Sequence, residues 1–310
     1  MELFENKQCL VVGCGSIGNR HADLLLELGQ SVAFVTQRTD TRIPSFSDLT
    51  QALREWNPEL VIVANRTHEH FDTCLQLSAL GFTGLALIEK PLWSTLPAHS
   101  FTPEYPAFVA YNMRFHPVVR RVKEALSGKR IFSAQLSVGQ YLPEWRPGTD
   151  YRNCYSAHAE QGGGVLRDLS HELDMALWLF GAWNTVTGRI GRWGDLEISS
   201  DDTADIVAEC DNCRSLTIHL DYQSRFSQRN IMIQAEDLSI HADLLSGSIR
   251  FNNERESLAF ERNTSFRSQL RALLSGNTQE LCSWEDGHEV ARFMIMAEKA
   301  AQSHVWEFNT

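Results

Sequence analysis

Residues Cys9–Gly29 read CLVVGCGSIGNRHADLLLELG, and this stretch decides the fold of the first part of the chain. The short apolar run Cys9–Val12 predicts a buried parallel strand. A glycine-rich turn follows the strand, and an amphipathic helix pattern then ends at Gly29. A strand, a glycine turn and a helix in this order are the context in which Gly-x-Gly-x-x-Gly indicates a dinucleotide site.

Each glycine of the turn has its own physical reason. Gly13 allows the tight turn, Gly15 lets the backbone approach a pyrophosphate, and Gly18 lets the helix pack close to the strand. The helix N-terminus offers free N–H groups and the positive end of the helix dipole to phosphates, so we also assign Ser16 and Ile17 to the cofactor. An ordinary glycine-rich turn between a strand and a helix is the alternative interpretation.

Composition limits the class of protein. A length of 310 residues predicts about two domains, and 43% hydrophobic residues suffice for real cores. The net charge of −11 and the lack of a basic tract argue against a nucleic-acid partner. No apolar run approaches membrane-spanning length, and the N-terminal residues show no secretory signal core. We therefore expect a cytoplasmic protein with no membrane partner.

The seven cysteines are scattered without a disulfide framework, which fits a reducing compartment. The pair Cys210-x-x-Cys213 stands alone, and a zinc site needs four ligands. We interpret this pair as flanking a tight hairpin turn. His68 and His70 lack an evident third ligand, so we predict no metal site there either.

Up to about residue 118, strand and helix patterns alternate. The further predicted strands are Ser31–Val35, Leu60–Ala64, Leu85–Ile88 and Ala107–Tyr111, and the predicted helices are Phe46–Trp56 and Phe71–Leu80. This βαβαβ order predicts a doubly wound parallel sheet, and hence an α/β fold. Ligands bind at the carboxyl ends of such strands. At those ends lie Asn65, Thr67, His70, Glu89 and Lys90, all of which we assign to the cofactor.

Arg38 bears on the choice of cofactor. NAD-binding folds usually place an acid about 20 residues beyond the glycines to hold the ribose diol, whereas an arginine there suits a 2′-phosphate. This chain has Thr36-Gln37-Arg38 at that place, and its first acid is Asp40. The pattern modestly favours NADP over NAD. Arg38 as a solvated loop residue, or as a residue stacked on the adenine, is the alternative.

Beyond about residue 120 the pattern changes to alternating runs joined by short polar turns. A helix, Val118–Leu126, comes first, and two helices, Ser265–Leu274 and Asp286–Ser303, close the chain. The predicted strands are Ile131–Val138, Asp205–Cys210, Leu216–Tyr222, Ile231–Ala235, Ser239–Leu244, Ser248–Phe251 and Ser257–Phe260. Period-two alternation predicts an antiparallel sheet with one covered face. We divide the chain into a dinucleotide-binding domain, 1–118, and a substrate-binding α+β domain, 119–310.

Three groups of residues could carry chemistry. Lys90, at the end of a strand, could donate a proton to a reacting hydroxyl or accept one from it; a plain surface lysine is the alternative. Asp168 and His171 lie three apart in a predicted helix and therefore share one face, which Asp174 extends. An acid beside a histidine orients an imidazole as a proton acceptor. The alternative is a capped helix with an exposed His171.

The third group is the segment 141–156, which is too dense in aromatic residues and arginines to be a plain linker. It could line a pocket for a polar or anionic substrate, and a structured loop packed on a sheet edge is the alternative interpretation. The predicted substrate residues in it are Trp145, Arg146, Tyr151, Arg152 and Tyr155.

Together these features resemble the Gfo/Idh/MocA family of NAD(P)-dependent oxidoreductases. The resemblance covers nearly the whole chain, and its motifs are specific only in combination. They are Gly13-x-Gly15-x-x-Gly18, the turn with His70, Glu89-Lys90-Pro91, Asn112–Pro117 and Gly162–Asp174. The resemblance implies an N-terminal Rossmann domain, a C-terminal domain on an open, mostly antiparallel sheet, bound NAD(P) and sugar-like substrates.

The resemblance also implies site residues. It makes Lys90, Asp168 and His171 the catalytic set, and we add Arg114 to the substrate residues. The family commonly spaces the aspartate and the histidine four apart, whereas here they are three apart, which leaves the role of Asp168 less secure. The block Gln140–Ser156 resembles a branch of the family associated with bacterial surface-sugar pathways.

Two functions remain open at this level. The first is hydride transfer between a nicotinamide and a hydroxyl or oxo carbon of a sugar derivative, with His171 moving the proton and Lys90 polarising the same oxygen. A lyase or glycosidase with a transiently reduced cofactor is a variant of it. The second is a non-catalytic sensor of dinucleotide or sugar.

The predicted sheet of the second domain also predicts self-association. Its helices are too few to cover both faces, so a surface rich in apolar residues would stay exposed. The residues expected there are Leu216, Ile218, Ile231 and Ile233, or their alternating neighbours. A homodimer or homotetramer through this sheet would bury them.

Overall fold

The computed structural model describes residues 5–97 and 99–309. The first four residues, on which the expectation about a secretory signal partly rests, lie outside them. The described chain forms two compact units. The first runs to Phe115 and also takes in Asn263–His288, whereas the second comprises His116–Arg262 and the residues from Glu289 onward.

The elements are numbered in chain order. The strands are β1 Gln8–Val12, β2 Ser31–Val35, β3 Ser45–Phe46, β4 Leu60–Val63, β5 Leu85–Ile88, β6 Ala107–Val109, β7 Ile131–Gly139, β8 Trp183–Gly191, β9 Thr203–Cys210, β10 Cys213–Asp221, β11 Gln228–Ala235, β12 Leu238–Asp243, β13 Ser248–Phe251, β14 Glu254–Ser257, β15 Cys282–Ser283 and β16 Glu307–Phe308. The helices are α1 Ser16–Glu27, α2 Leu49–Trp56, α3 His70–Ala79, α4 Pro117–Leu126, α5 Val165–Asp168, α6 His171–Phe180, α7 Thr264–Ser275 and α8 Trp284–Ser303.

The first unit is built on a sheet in the order β15-β6-β5-β4-β1-β2-β3. Its neighbouring strands are parallel except for β15, which pairs antiparallel with β6. Strand β1 lies between β2 and β4, with Val12 opposite both Val35 and Val63. The strand order therefore reverses direction at β1, as in a doubly wound sheet. The predicted α/β fold of this part is confirmed.

One helix of the first unit begins later than its sequence predicts. We expected a helix over Phe46–Trp56, but Phe46 pairs with Val35 in β3, and the backbone N–H of Thr36 donates to its carbonyl at 3.0 Å. Helix α2 begins only at Leu49. The Asp48 side chain accepts from the backbone N–H of Gln51 at 2.8 Å, so this aspartate caps the helix.

Helix α7 belongs to the first unit, although its sequence lies in the range 119–310 that we assigned to the second domain. The physical reason is its apolar stripe. Leu270, Leu273 and Leu274 are buried in one core with Val11 and Leu24. Burying each such side chain contributes roughly 2 kcal/mol, so this stripe holds the returning helix against β1 and α1.

The second unit carries a sheet in the order β14-β13-β12-β11-β7-β10-β9-β8-β16. All neighbouring pairs are antiparallel except β7 and β10. Helices α4, α5 and α6 pack against its strands. The prediction of an α+β part with a mostly antiparallel sheet is confirmed.

Three strands of this sheet differ from the sequence prediction, and one of them is the two-residue edge strand β16, which was not predicted. Strand β8, Trp183–Gly191, was missed because its glycines and polar residues leave no clear alternation. We expected a strand over Ser257–Phe260, but β14 lies three residues earlier. Phe251 pairs with Glu254, and Asn252 between them has φ of 51°, a left-handed conformation that asparagine tolerates and that closes a tight hairpin.

The uncovered face of the second sheet is more polar than its sequence suggested. Leu216, Ile218, Ile231 and Ile233, named as candidates for exposure, are at most 1% exposed and lie on the covered face. Their alternating neighbours form the open face. One row of it, read across paired strands, is His241, Met232, Gln135, Thr217, Val207 and Thr187. Only Met232 and Val207 in this row are apolar.

In the part of the chain that the structure describes, no helix has the length and apolar character needed to cross a membrane.

Candidate functional site

The glycine turn between β1 and α1 has the geometry that a dinucleotide requires. Gly13 has φ of +102°, and a Cβ atom placed on it would lie 2.6 Å from the carbonyl oxygen of Ala64. A Cβ atom on Gly18 would lie 2.1 Å from the carbonyl oxygen of Gly13. Only glycine fits at both positions, because the turn touches the end of β4 and the helix touches the turn.

Gly15 is different, because a Cβ atom placed there would meet no described atom within 4 Å. Packing within the protein therefore does not require glycine at this position. The space beside its backbone is open to a ligand. Gly15 caps α1 without a side-chain hydrogen bond, and the first turn of α1 contains no acidic residue. The first N–H groups of the helix and its positive dipole end therefore favour an anion. These observations fit the pyrophosphate of a dinucleotide.

The end of β4 lies against this turn and carries three of the predicted cofactor residues. Asn65 follows the strand, and its side-chain amide donates to the Thr73 hydroxyl at 2.9 Å. Thr67 begins a short 3₁₀ turn that leads into α3. His70 is fully buried at the start of α3. Burial lowers the pKa of His70 against the opposing charge of Glu89, so the imidazole is neutral at neutral pH.

Arg38 lies beyond the end of β2 and is exposed. Its backbone N–H donates to the Thr36 hydroxyl at 3.2 Å. This position is at the edge of the sheet where the ribose of a dinucleotide is expected. The assignment of Arg38 to a 2′-phosphate stays a prediction.

Glu89 and Lys90 follow β5, and their surroundings separate their roles. Glu89 is buried, and one of its carboxylate oxygens lies 2.7 Å from Nε2 of His21, which is fully buried on α1. Its other oxygen accepts from the backbone N–H of Lys90 at 3.1 Å. Burial raises the pKa of Glu89, but the hydrogen bond with His21 and the charges of His21 and Lys90 outweigh this and hold the pKa below its ordinary value.

Both carboxylate oxygens of Glu89 are therefore engaged within the protein, which gives this side chain a structural role more than a role in binding a ligand. An ionised carboxylate joins the second turn of α1 to the backbone at the end of β5. These contacts therefore fix the position of Glu89, the residue directly before Lys90. Lys90 itself is half-buried at this strand end, as the sequence predicts.

In the second unit, Asp168 and His171 do not share a helix, so the prediction of one helical face is wrong. Helix α5 ends at Asp168, Leu169 follows it as the helix cap with ψ of 24°, and α6 begins at His171. The orientation of Asp168 is therefore set by something other than α6. Asp174, three residues into α6, is fully buried.

Two tyrosines hold the Asp168 carboxylate. The Tyr155 hydroxyl donates to Oδ1, and the Tyr222 hydroxyl donates to Oδ2 at 2.7 Å. Asp168 is 7% exposed and Tyr222 is fully buried. Burial and the charge of Asp168 keep the pKa of Tyr222 well above its ordinary value, so this phenol stays a donor.

His171 begins α6 and is half-buried. The next residue, Glu172, is buried and forms a bidentate ion pair with Arg229 on β11. The guanidinium donates to Oε1 at 2.6 Å and to Oε2 at 3.0 Å. Breaking such a buried pair by removing one partner costs about 3–5 kcal/mol. The pair ties the first turn of α6 to the sheet and so fixes the backbone that carries His171.

The segment 141–156 is an ordered loop of short 3₁₀ turns. Trp145 donates from its indole nitrogen to the carbonyl of Gln140 at 3.2 Å and packs edge-on against Tyr222. Tyr151 accepts from the backbone N–H of Glu197 through its hydroxyl. Arg152 pairs with both Asp150 and Glu197, so its charge is compensated within the protein.

Arg146 in the same loop is exposed, and its positive charge acts on the neighbouring Tyr155 phenol. Of the two arginines in this loop that we predict to bind substrate, Arg146 is therefore the better placed, because the guanidinium of Arg152 is already paired.

Arg114, the remaining predicted substrate residue, is 3% exposed. Its guanidinium donates to the Asp286 carboxylate at 2.8 Å and to the carbonyl of Leu281 at 3.3 Å. It thus joins the 3₁₀ turn Asn112–Phe115 to the chain that follows α7. These contacts give the buried Arg114 side chain a structural role, and its assignment to the substrate stays a prediction.

The cysteine pair Cys210-x-x-Cys213 encloses the two-residue turn between β9 and β10, as the sequence predicts. Both thiols are buried, and burial raises the pKa of Cys210 to about 12. Over residues 5–97 and 99–309, no group of three or more histidine, cysteine, aspartate or glutamate side chains is arranged to hold a metal ion.

Sequence reasoning missed three residues that shape these sites: His21, Tyr222 and Arg229. Each acts through a partner between 54 and 68 positions away in the chain. His21 carries a weak local signal, since it is a polar residue on the inward side of an amphipathic helix. Tyr222 and Arg229 lie at strand ends, where nothing local distinguishes them from surface residues.

Comparison with protein families gives two matches, one in each part of the chain. A model described as the oxidoreductase family with an NAD-binding Rossmann fold matches residues 7–100. A model described as the GFO/IDH/MocA C-terminal domain matches residues 119–241. The sequence matches no curated protein.

Solved structures share the fold over nearly the whole chain. GenD2 from gentamicin A biosynthesis, in complex with NAD, is 19% identical with a TM-score of 0.81, covering 100% of this chain and 98% of its own. The WlbA dehydrogenase from Bordetella pertussis, in complex with NADH and UDP-GlcNAcA, is 17% identical with a TM-score of 0.80 and 99% coverage of both chains. Levoglucosan dehydrogenase, in complex with NADH, is 15% identical with a TM-score of 0.81, covering 98% of this chain and 99% of its own.

Proposed function

The chain belongs to the Gfo/Idh/MocA family of oxidoreductases with an NAD-binding Rossmann domain, and from that premise we propose that it oxidises or reduces a sugar derivative. It transfers a hydride between a nicotinamide dinucleotide and a carbon that bears a hydroxyl or oxo group. The observation that carries the proposal is the open backbone at Gly15 where β1 meets α1. The sugar-like substrate is supported by the similar structures, whose ligands include UDP-GlcNAcA.

The protein's own residues bind, orient and move a proton. When bound, the nicotinamide ring supplies or accepts the hydride. His171 takes the proton from the reacting hydroxyl, or returns it in the reverse direction. Lys90 donates a hydrogen bond to that oxygen and stabilises the charge that develops on it.

Asp168 orients the sugar through its two fixed carboxylate oxygens. Arg146, Trp145, Tyr151 and Tyr155 are the proposed loop contacts to substrate, and the exposed guanidinium of Arg146 suits an anionic group. A nucleotide-linked or acidic sugar of a surface-polysaccharide pathway is the substrate class that fits this loop.

A substrate screen tests the proposal. Purified protein is incubated with NAD or NADP and a panel of free, acidic and nucleotide-linked sugars, and formation of reduced dinucleotide is followed by absorbance. We expect turnover with a subset of the sugars that carry a free secondary hydroxyl. Tight dinucleotide binding without turnover of any sugar would favour the sensor function instead.

Arg38 is the residue that we propose to favour NADP. Arg38→Ala is expected to weaken NADP binding about tenfold or more while changing NAD binding less than twofold, because only NADP carries the 2′-phosphate that a guanidinium can bind. Fluorescence titration of both dinucleotides measures this. Arg54→Ala, which removes an exposed arginine on α2, is the control. An equal loss for both cofactors would make Arg38 a general loop residue.

The uncovered face of the second sheet is the proposed interface of a homodimer or homotetramer. Its apolar content is limited to residues such as Met232 and Val207, which are 43% and 40% exposed. A self-complementary interface needs no continuous apolar surface, since polar pairs can surround a few buried apolar groups. Met232→Arg is therefore expected to convert the dimer to a monomer. Light scattering that finds wild-type monomer at micromolar concentration would rule this out.

The cytoplasm is the proposed compartment. All seven cysteines are free thiols, which is the state that a reducing compartment maintains.

A further inference from the structure

The Asp168 carboxylate accepts hydrogen bonds from two phenols that come from distant parts of the chain. Tyr155 lies in the ordered loop and donates to Oδ1, whereas Tyr222 directly follows β10 and donates to Oδ2. Asp168 ends the short helix α5. Three separate elements therefore meet at one carboxylate, and each of its oxygens already accepts one hydrogen bond from a tyrosine.

Tyr222 cannot move away from this contact without disturbing its neighbours. Its backbone N–H donates to the carbonyl of Asp202 at 2.9 Å, and its own carbonyl accepts from Leu142 at 3.1 Å. Trp145 packs edge-on against its ring with 5.1 Å between the centroids. The ring is fully buried. The phenol oxygen is thus fixed from both ends of the side chain.

We call these two hydrogen bonds to Asp168 the clamp. The clamp sets the orientation of the carboxylate, which the local sequence does not set. Because α5 ends at Asp168 and α6 begins only at His171, no shared helix sets the direction of the carboxylate relative to His171. A carboxylate has two oxygens with about four acceptor positions in all. A phenol donor on each oxygen stops the carboxylate from rotating.

We propose that Tyr222, together with Tyr155, is a positioning residue that fixes Asp168 as an acceptor for a sugar hydroxyl. The inference rests on the proposed sugar oxidoreductase function and adds a residue that the sequence did not single out.

Other charged groups face this cluster and must be counted in any pH dependence. Asp201 acts on Tyr222 electrostatically, and its carboxylate accepts from the backbone N–H of Leu166 in α5. Burial raises the pKa of Asp201 to about 6, against the opposing charge of Arg167. Arg146 acts on Tyr155 from the loop. These charged groups are unchanged in a Tyr222→Phe variant. A change in the kinetics of that variant is therefore due to loss of the hydrogen bond from Tyr222 to Asp168.

The test compares two phenol deletions with a matched control. Tyr222→Phe and Tyr155→Phe each remove one hydroxyl from Asp168. Tyr105→Phe removes a buried hydroxyl that donates to the Cys74 carbonyl at 3.1 Å in the first unit. Each variant is measured for melting temperature, dinucleotide affinity, kcat, KM and the pH profile of kcat, in the full chain.

We expect Tyr222→Phe to lower kcat about tenfold, because a hydrogen bond to a charged group is lost. Dinucleotide affinity should change less than twofold. KM should change less than kcat, because the Asp168 carboxylate is still present but is no longer held in one direction. Tyr155→Phe should lower kcat in the same way and provides the answer if Tyr222→Phe does not fold.

The outcomes separate two failures. Wild-type protein that turns over no sugar refutes the proposed function, and the clamp as a catalytic device fails with it. Wild-type turnover with phenol variants that match Tyr105→Phe in kcat and pH profile refutes the clamp alone. A lower melting temperature with kcat and KM unchanged likewise assigns the tyrosines a merely structural role.

Discussion

Gly15→Val is expected to abolish dinucleotide binding, with a loss of affinity of at least a hundredfold, while the protein stays folded. The folded structure has room for a Cβ atom at Gly15, since no described atom lies within 4 Å of it. The branched side chain would instead fill the space above the N-terminus of α1, where the pyrophosphate approaches the backbone. Fluorescence titration with NAD and NADP measures the affinity, and thermal melting measures the stability.

Gly18→Val is the informative contrast to this variant. A Cβ atom at Gly18 would lie 2.1 Å from the carbonyl oxygen of Gly13, so this substitution should lower the melting temperature as well as binding. Gly15→Ala should give a smaller loss of affinity than Gly15→Val because it adds only one carbon. Unchanged affinity in Gly15→Val would remove the cofactor site from Gly13–Gly18.

The sequence was informative wherever the determining residues are close together in the chain. The glycine turn, the adjacent strand and the helix lie within 21 positions, and the structure has all three as predicted. The hairpin at Cys210-x-x-Cys213 was equally local. Alternation located most strands of the second sheet, but it could not tell which face the helices would cover.

Long-range pairing is what the sequence could not provide. His21 meets Glu89 across 68 positions, and Tyr222 meets Asp168 across 54. Helix α7 returns to the first unit, and Ser265 on it accepts from the side-chain amide of Asn112 at 2.7 Å across 153 positions. None of these partners can be paired by periodicity, because periodicity reports only which face of an element is buried.

The break between α5 and α6 shows the same limit at short range. Residues Val165–Phe180 contain no proline or glycine to mark an interruption, and their apolar spacing fits one continuous helix. The chain nevertheless leaves the helix at Leu169. The donors to Asp168 come from outside this segment, so its own residues give no sign of where the carboxylate is held.

The second large effect is expected at the proposed catalytic pair. Lys90→Ala and His171→Ala should each lower kcat by a factor of about a hundred or more, as the loss of acid–base groups does. Dinucleotide affinity should stay nearly intact, because neither side chain is needed to hold the pyrophosphate. Because both are predicted to act on one proton transfer, the double variant should be little slower than either single variant.

Two exposed residues serve as matched controls. Lys129→Ala removes a lysine that pairs with Asp237 on the surface, and His68→Ala removes a histidine with a 53% exposed side chain. Both controls should keep kcat within about twofold of wild type. If the fold reduction in kcat of the double variant equals the product of the two single reductions, Lys90 and His171 act in separate steps.

The central claim is that this chain performs sugar-linked hydride transfer with His171 as the proton acceptor, and a single-turnover absorbance experiment tests it most directly. Wild-type protein and His171→Ala are loaded with the oxidised dinucleotide and mixed with a sugar from the active subset. We predict that the reduced-nicotinamide band rises in the wild-type protein and rises at least a hundredfold more slowly in His171→Ala. An equal rise in both proteins, or no rise in the wild type with any sugar despite bound dinucleotide, would contradict the account.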